Sequence, residues 1–400
     1  MSNMSDTPAK RGIQFNEGQQ EAIARIKRWF SDYVLGRSSK QCFFLDGSAG
    51  TGKTSVARAA AVECVGGESM IYRVAFIAPT GKAASRLRQK GCTGAKTFHQ
   101  FVYRVLGEDE EGDPQFAEKI KHDETPSLVV CDEISMISEY DFRVLQRRGI
   151  PILQLGDLKQ VEPVKGVACV KEGAADYTLT EIMRQVDENG EPKPLSNITR
   201  GAMFISEGKQ LPFREYEDVQ VRKGMPPVDD LLAHVDENAQ ILCSYNNTRV
   251  GLTNDIRKAL GFNGPTPQVG EKVMCWFNQH GKNFMNGEQG IVLGYREPED
   301  DEKAEGDAQQ MLMITLRSLT DGRERTVKFN PLSFDPDPEV AKEAQRAPGG
   351  FQFGYVATIH KAQGSEWDRV MVIEERMGNY AKLGYTAATR AAKNLRWYRP

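Results

Sequence analysis

Residues Gly47 to Thr54 read G-S-A-G-T-G-K-T, and this spacing fits a loop that cradles phosphates. Gly47, Gly50 and Gly52 let the backbone turn its N–H groups inward, with Ser48, Ala49 and Thr51 completing the loop. Lys53 is placed to neutralise β- and γ-phosphate charge, and the Thr54 hydroxyl is a hard oxygen ligand suited to Mg²⁺. The chain is therefore expected to bind a nucleoside triphosphate. Further along, Val129-Val130-Cys131 ends in two carboxylates. In a triphosphate hydrolase Asp132 would hold the magnesium through water, and Glu133 would polarise the attacking water. Gln160, in Leu155-Gly156-Asp157-Leu158-Lys159-Gln160, is a candidate for contact with the γ-phosphate or its water. Arg184 and Arg390 are candidates to neutralise charge that develops during phosphoryl transfer, a role worth a factor of about 10³ to 10⁵ in rate.

Such groups need strands and helices to hold them. Cys42 to Leu45 is a short apolar run before the loop, and the Ala-rich Ser55 to Glu63 after it is helix-prone, so the loop sits at a helix N-terminus. Val74 to Ala78, Leu128 to Cys131 and Ile152 to Leu155 repeat the pattern of an apolar run followed by turn or acidic residues. A second series contains Ile241 to Cys243, a helix from about Thr248 to Leu260, Val370 to Ile373 and Leu395 to Tyr398. The predicted fold class is α/β, with two parallel-sheet cores. Residues 1–185 form the first core, with a pin-like β-hairpin insertion at about 100–125. Residues 186–267 and 351–400 form the second, and 268–350, rich in short strands and turns such as Asn286-Gly287, read as a small inserted β-barrel.

A chain of 400 residues exceeds what one hydrophobic core usually organises. No apolar run reaches the roughly 20 residues needed to span a bilayer, and the N-terminus lacks a signal peptide's apolar segment, so no membrane role and a cytoplasmic location are expected. The seven cysteines are scattered and never spaced C-x-x-C, which argues for reduced thiols. A net charge of −3 exerts no global pull on nucleic acid. Local basic patches exist, however: Lys82, Arg86, Arg88, Lys90, Lys96 and Arg104 fall in the acid-free stretch from Pro79 to Gly107, and the chain after Glu375 carries only basic charges. Acid concentrates in Glu108 to Asp113 and Glu297 to Asp307.

The order of motifs resembles that of superfamily 1B helicases, the group that includes the bacteriophage Dda helicase and the RecD helicases. Phe15-Asn-Glu-Gly-Gln19 resembles the glutamine motif, which implies that Gln19 reads adenine. Ala78-Pro79-Thr80-Gly81-Lys82 resembles motif Ia and Thr97-Phe98-His99 motif Ib, both implying contacts to single-stranded DNA. Asp132 to Met136 resembles motif II, Gly156 to Gln160 motif III and Glu181 to Gln185 motif IV. Ala357-Thr358-Ile359-His360-Lys361-Ala-Gln363-Gly364 is similar to motif V, where the resemblance suggests that Glu366 meets the ribose, and the Arg390 segment is similar to motif VI. Val161-Glu162-Pro163-Val164 departs from the apolar, double-proline run common after motif III. The resemblance implies that both cores are RecA-like, and the 268–350 insertion is similar in position to the group's Src-homology-3-like barrel.

The resemblance implies a monomeric DNA helicase driven by ATP and Mg²⁺, moving 5′ to 3′ on single strands and acting at single/double-strand junctions, with replication or recombination proteins as partners and, for a phage-encoded chain, the host cytoplasm as its location. Pro79, Thr80, Lys82, Lys96, Thr97, His99, Thr358 and His360 would lie near the strand. Phe98 or Trp276 would supply a stacking face or pack in a core, and Phe116 would either wedge a duplex from the hairpin or pack in the first core. A single-strand translocase with little unwinding, or an ATP-switched DNA-binding or loading factor, uses the same residues.

Overall fold

The computed structural model describes residues 14–108, 114–119, 125–163, 166–183, 195–276, 284–300, 302, 311–375 and 378–399. Its first sheet is all parallel, in the order Lys96–Thr97, Val74–Ala78, Leu128–Cys131, Ile152–Gly156, Cys42–Gly47, Tyr177–Leu179. Leu128–Cys131 and Ile152–Gly156 are buried at every position, as expected for strands covered on both faces. On one face pack the helices Glu17–Val34 and Lys53–Val65, through Ala22, Ile26, Val56 and Ala60. On the other pack Phe98, Phe142 and Leu145. The helix Glu17–Val34, absent from the sequence reading, begins with a capping box in which Asn16 and Gln19 satisfy each other's backbone N–H groups.

The second sheet is also all parallel, in the order Val356–Thr358, Ala239–Cys243, Trp367–Ile373, Ala391–Arg399, Val219–Lys223. The helices Asn197–Ser206 and Tyr380–Ala388 cover one face, and Asn246–Ala259 with Leu231 covers the other. Between the strands Ala239–Cys243 and Val356–Thr358 the chain builds a five-stranded antiparallel sheet, ordered Glu324–Phe329, Leu312–Ser318, Gln289–Arg296, Lys272–Cys275, Phe351–Phe353. Its core is aromatic, with the Phe351 ring 6.1 Å from both Phe284 and Phe329. Phe351–Phe353 thus pairs with Lys272–Cys275 and not with the second parallel sheet, where the sequence reading had assigned it. Phe351 and Phe353 share one face of this strand, Phe351 lying in the aromatic core and Phe353 packing against it.

Tyr103–Glu108 and Pro114–Glu118 form a separate two-stranded antiparallel pair, with Phe116 opposite Val105. The Glu110 to Asp113 turn signal lies outside the described residues, as does most of the acidic Glu297 to Asp307 segment. The first core and the antiparallel unit approach closely at Gly81, where a Cβ would sit 2.6 Å from the Met285 side chain.

Candidate active site

The phosphate loop leaves the strand Cys42–Gly47 and enters the helix Lys53–Val65 through Gly52, whose φ of 83° is left-handed. A Cβ at Gly52 would meet Gln19 Nε2 at 2.6 Å, and one at Gly47 would meet Thr51 Oγ1 at 2.8 Å. A side chain at either position would crowd its neighbours, and at Gly52 the left-handed backbone favours glycine as well. Lys53 Nζ folds back to donate to the carbonyl oxygens of Gly47 (2.5 Å) and Ser48 (3.2 Å). Gln19 is buried behind this loop, donating to the Thr51 carbonyl at 3.1 Å while its amide oxygen accepts from Asn16 N–H. In this arrangement Gln19 braces the loop.

Thr54 Oγ1 donates to Asp132 Oδ2 at 3.2 Å, joining the helix start to the end of the strand Leu128–Cys131. Two hard oxygen donors side by side at a phosphate loop fit a magnesium site. Asp132 Oδ1 accepts from Glu133 N–H. Glu133 has φ of 50°, the one left-handed non-glycine among the described residues, a strained conformation of the kind found at functional sites. Burial, then the Asp132 carboxylate, pushes the Glu133 carboxyl above the ordinary range, against the pull of Arg390, Lys53 and Arg86. Gln160 is buried, with Nε2 3.4 Å from Asp157 Oδ2 and Oε1 without a partner.

These groups line a cleft of about 490 Å³ between the two parallel-sheet cores. From the second core come Gly364, Ser365, Glu366, Thr389 and Arg390. Arg390 is almost fully buried, and its guanidinium donates to Thr386 O (3.0 Å), Ser365 O (3.1 Å) and Thr389 Oγ1 (3.1 Å). Arg86 crosses from the first core to pair with Glu366 and donate to Gly364 O at 3.1 Å. Arg86 had been read as part of a DNA-facing basic patch; it belongs to the cleft instead. The signal was helical spacing, since Ala83, Arg86, Leu87 and Lys90 share one face of the helix Gly81–Gln89 and its first following residue, and all four line the cleft. Arg184 lies outside the described residues, although Met183 beside it reaches the cleft.

Residues expected near a nucleic-acid strand gather at the C-terminal ends of the two edge strands. Pairing of Ile77 with Lys96 and of Ala78 with Thr97 brings Pro79-Thr80 beside Thr97 and His99. Thr80 and Thr97 each cap a helix with the side-chain oxygen. Lys96 and His99 are exposed, but Phe98, the first residue of the helix Phe98–Val102, is fully buried in the core and offers no ring face to a base. Lys82 also departs from expectation. Its ammonium sits 4.5 Å from the Trp367 ring centroid of the second core, and burial pushes its pKa down to about 7. On the second core Thr358 and His360 end the strand Val356–Thr358, and the Lys361 ammonium lies 3.7 Å from the Trp276 ring centroid.

A phosphate loop and paired carboxylates in one parallel-sheet core, facing an arginine from a second such core, define a two-core P-loop NTPase. Residues 14–206 match the family described as AAA domain, and 353–397 match the UvrD-like helicase C-terminal domain. The ATP-dependent RecD2 DNA helicase of Deinococcus radiodurans is 27% identical over 365 residues, covering 87% of this chain and 45% of the relative. The RecBCD enzyme subunit RecD of Mycolicibacterium smegmatis is 26% identical, covering 88% of this chain and 67% of the relative. The chain thus spans less than half the length of the first of these relatives. In fold it is similar to the crystal structure of Bacteroides Pif1 bound to ssDNA, with a TM-score of 0.56 at 18% identity, covering 96% of this chain and 92% of the other. The two family matches and the RecD relatives support a superfamily 1B helicase. No helix among the described residues is long and apolar enough to cross a membrane.

Proposed function

We propose that this chain is an ATP-dependent DNA helicase that moves 5′ to 3′ along single-stranded DNA and separates duplexes. The observation that carries the reading is the cleft itself, in which the phosphate loop, Asp132, Glu133 and Gln160 of one core face Arg390 and Glu366 of the other. The glycine-shaped cradle fits a triphosphate, with Lys53 and the loop amides on the phosphates. Thr54 and Asp132 would hold Mg²⁺, which when bound supplies positive charge to the β- and γ-phosphate oxygens. Glu133, its carboxyl proton affinity raised by burial, would accept a proton from the attacking water. Gln160 offers its unpartnered Oε1 to that water, and Arg390 neutralises charge from the opposite side. Arg184 would add a second positive charge on this side. A nucleotide filling this cleft touches both cores, so binding and hydrolysis would change how they close.

The strand would cross Pro79, Thr80, Lys96, Thr97 and His99 on one core and Thr358 and His360 on the other. The antiparallel unit would serve as the Src-homology-3-like barrel, and the pair formed by Tyr103–Glu108 and Pro114–Glu118 as the separating pin, with Phe116 as its wedge. Unwinding of duplexes carrying a 5′ or a 3′ single-stranded tail tests the reading: the 5′ tail should support ATP-dependent separation. Separation from the 3′ tail alone would overturn the polarity, and strong DNA-stimulated ATP turnover with no separation from either tail would reduce the chain to a translocase.

A further inference from the structure

Tyr385 enters none of the roles above, yet its hydroxyl lies at the junction of three elements. The residue sits on the helix Tyr380–Ala388 of the second core, with its ring fully buried. Its hydroxyl is 2.7 Å from Asp157 Oδ2 of the first core, and Ala49 N–H of the phosphate loop donates to the same hydroxyl at 3.3 Å. A phenol has one proton to give. The carboxylate can only accept and the amide can only donate, so the direction is fixed: Ala49 N–H to Tyr385 Oη, and Tyr385 O–H to Asp157. Burial and the Asp157 charge raise the phenol pKa further, which keeps the donor protonated at any working pH.

Asp157 passes this contact on. Its Oδ1 accepts from Lys159 N–H at 3.1 Å, which shapes the turn after the strand Ile152–Gly156, and its Oδ2 faces Gln160 Nε2 at 3.4 Å. Holding the Gln160 amide nitrogen there points Oε1 away from the carboxylate, where it is buried and unpartnered in a side chain that lines the nucleotide cleft. We infer that Tyr385 is a positioning residue that couples the second core to the γ-phosphate end of the site, fixing Asp157 and through it the Gln160 amide while engaging the phosphate-loop amide of Ala49. Any movement of the second core that shifts Tyr385 changes the acceptor that orients Gln160. Strand binding on that core then reaches the hydrolytic water without Tyr385 touching nucleotide.

This inference rests on the hydrolysis reading, so the two need separable outcomes. DNA-stimulated ATP turnover is measured for the full chain with a thymidine oligonucleotide, for the unsubstituted protein, Tyr385→Phe, Asp157→Asn, Gln160→Ala and the Tyr385→Phe/Gln160→Ala pair. Phenylalanine keeps the buried ring and removes only the hydroxyl. Loss of a hydrogen bond to a charged group lowers kcat by about tenfold in Tyr385→Phe, with KM for ATP within about twofold. Asp157→Asn, which keeps the side-chain size, shows the same split. If Tyr385 acts through Gln160, the double variant is no slower than Gln160→Ala alone, whereas a merely structural hydroxyl gives multiplying losses. A kcat for Tyr385→Phe equal to the unsubstituted protein, or multiplying losses in the double variant, overturns the inference. Absence of ATP turnover in the unsubstituted protein overturns the hydrolysis reading, and this inference with it.

Discussion

Each parallel sheet ends one edge strand in Thr-x-His: Thr97-Phe98-His99 beside the strand Val74–Ala78, and Thr358-Ile359-His360 beside Ala239–Cys243. In both, the middle residue is fully buried while the flanking threonine is half-buried. The histidines differ only in degree, His99 being exposed and His360 half-buried, with burial lowering the His360 pKa. At the nucleotide cleft the likeness ends. The first core presents a loop of backbone amides shaped by glycines, whereas the second presents side chains, chiefly Arg390 and Glu366, carried by the turn after Val356–Thr358 and by the helix Tyr380–Ala388. Under the proposed function, two similar folds would divide the labour unequally: equivalent surfaces for the strand, but a holding half and a reaching half for the nucleotide.

The sharpest test of that division is Arg390→Ala. If the second core contributes charge to the transition state and little to ground-state binding, DNA-stimulated kcat falls by about 10³-fold or more. Affinity for a fluorescent ATP analogue stays within a fewfold, while Lys53→Ala loses that affinity. Equal loss of nucleotide binding in both variants would erase the distinction between the halves.

Arg86→Ala asks which side of the first core this arginine serves. Placed in the cleft and paired with Glu366, it should lower kcat by roughly 10²-fold, the scale for removing one preorganised donor, and leave single-strand affinity unchanged. Weakened strand binding with normal turnover would return Arg86 to the basic patch.

The nucleotide half was legible in the sequence because its chemistry is local. Gly47 to Thr54, Asp132-Glu133 and Gln160 each lie at the end of an apolar run, and the strands Val74–Ala78 and Leu128–Cys131 have the extents their apolar runs predict. The reaching half was harder to read. Arg390 stood out through motif resemblance, but Tyr385 and Thr389 acquire their roles only when two sheets meet, and no periodicity reports such a meeting. Charge alone misled: Arg86 and Lys82 lie in the same basic run as Lys96, yet helix geometry turns the first two toward the second core and leaves Lys96 in solvent. Phe98 shows the same limit, since an aromatic between two polar residues fits a platform or a core until burial is known.

That contrast within one basic run predicts a smaller effect. Single-strand affinity should fall with salt along a log–log line whose slope is reduced by about 0.7 for each phosphate contact removed. Lys96→Ala should shallow the slope by that amount. Lys82→Ala, removing an ammonium held against Trp367, should leave the slope unchanged. A shallower slope for Lys82→Ala would place a phosphate inside the junction of the cores.

The smallest expected effect concerns the stability cost of the holding half. Glu133 is held with its carboxyl pKa raised by burial and by the neighbouring Asp132. In the unfolded chain a glutamate titrates near pH 4.3. Between that value and the raised one, the folded chain binds more protons than the unfolded chain, so stability falls as pH rises through the window, and the cost is complete above it. Glutamine is never charged, and it leaves the left-handed backbone at this position unchanged, so strain cancels in the comparison. Glu133→Gln should thus melt higher than the unsubstituted protein at pH 7.5, by about 1 kcal/mol of stability, as expected when an active-site charge is neutralised. The difference should shrink on acidification and vanish below about pH 4, where the glutamate is protonated in both states. Hydrolysis collapses in the same variant, so the gain in stability and the loss of turnover trace to one carboxylate. Identical melting at pH 7.5 would mean that Arg390 of the reaching half, with Lys53 and Arg86 of the holding half, already offsets the burial of that charge before any nucleotide arrives.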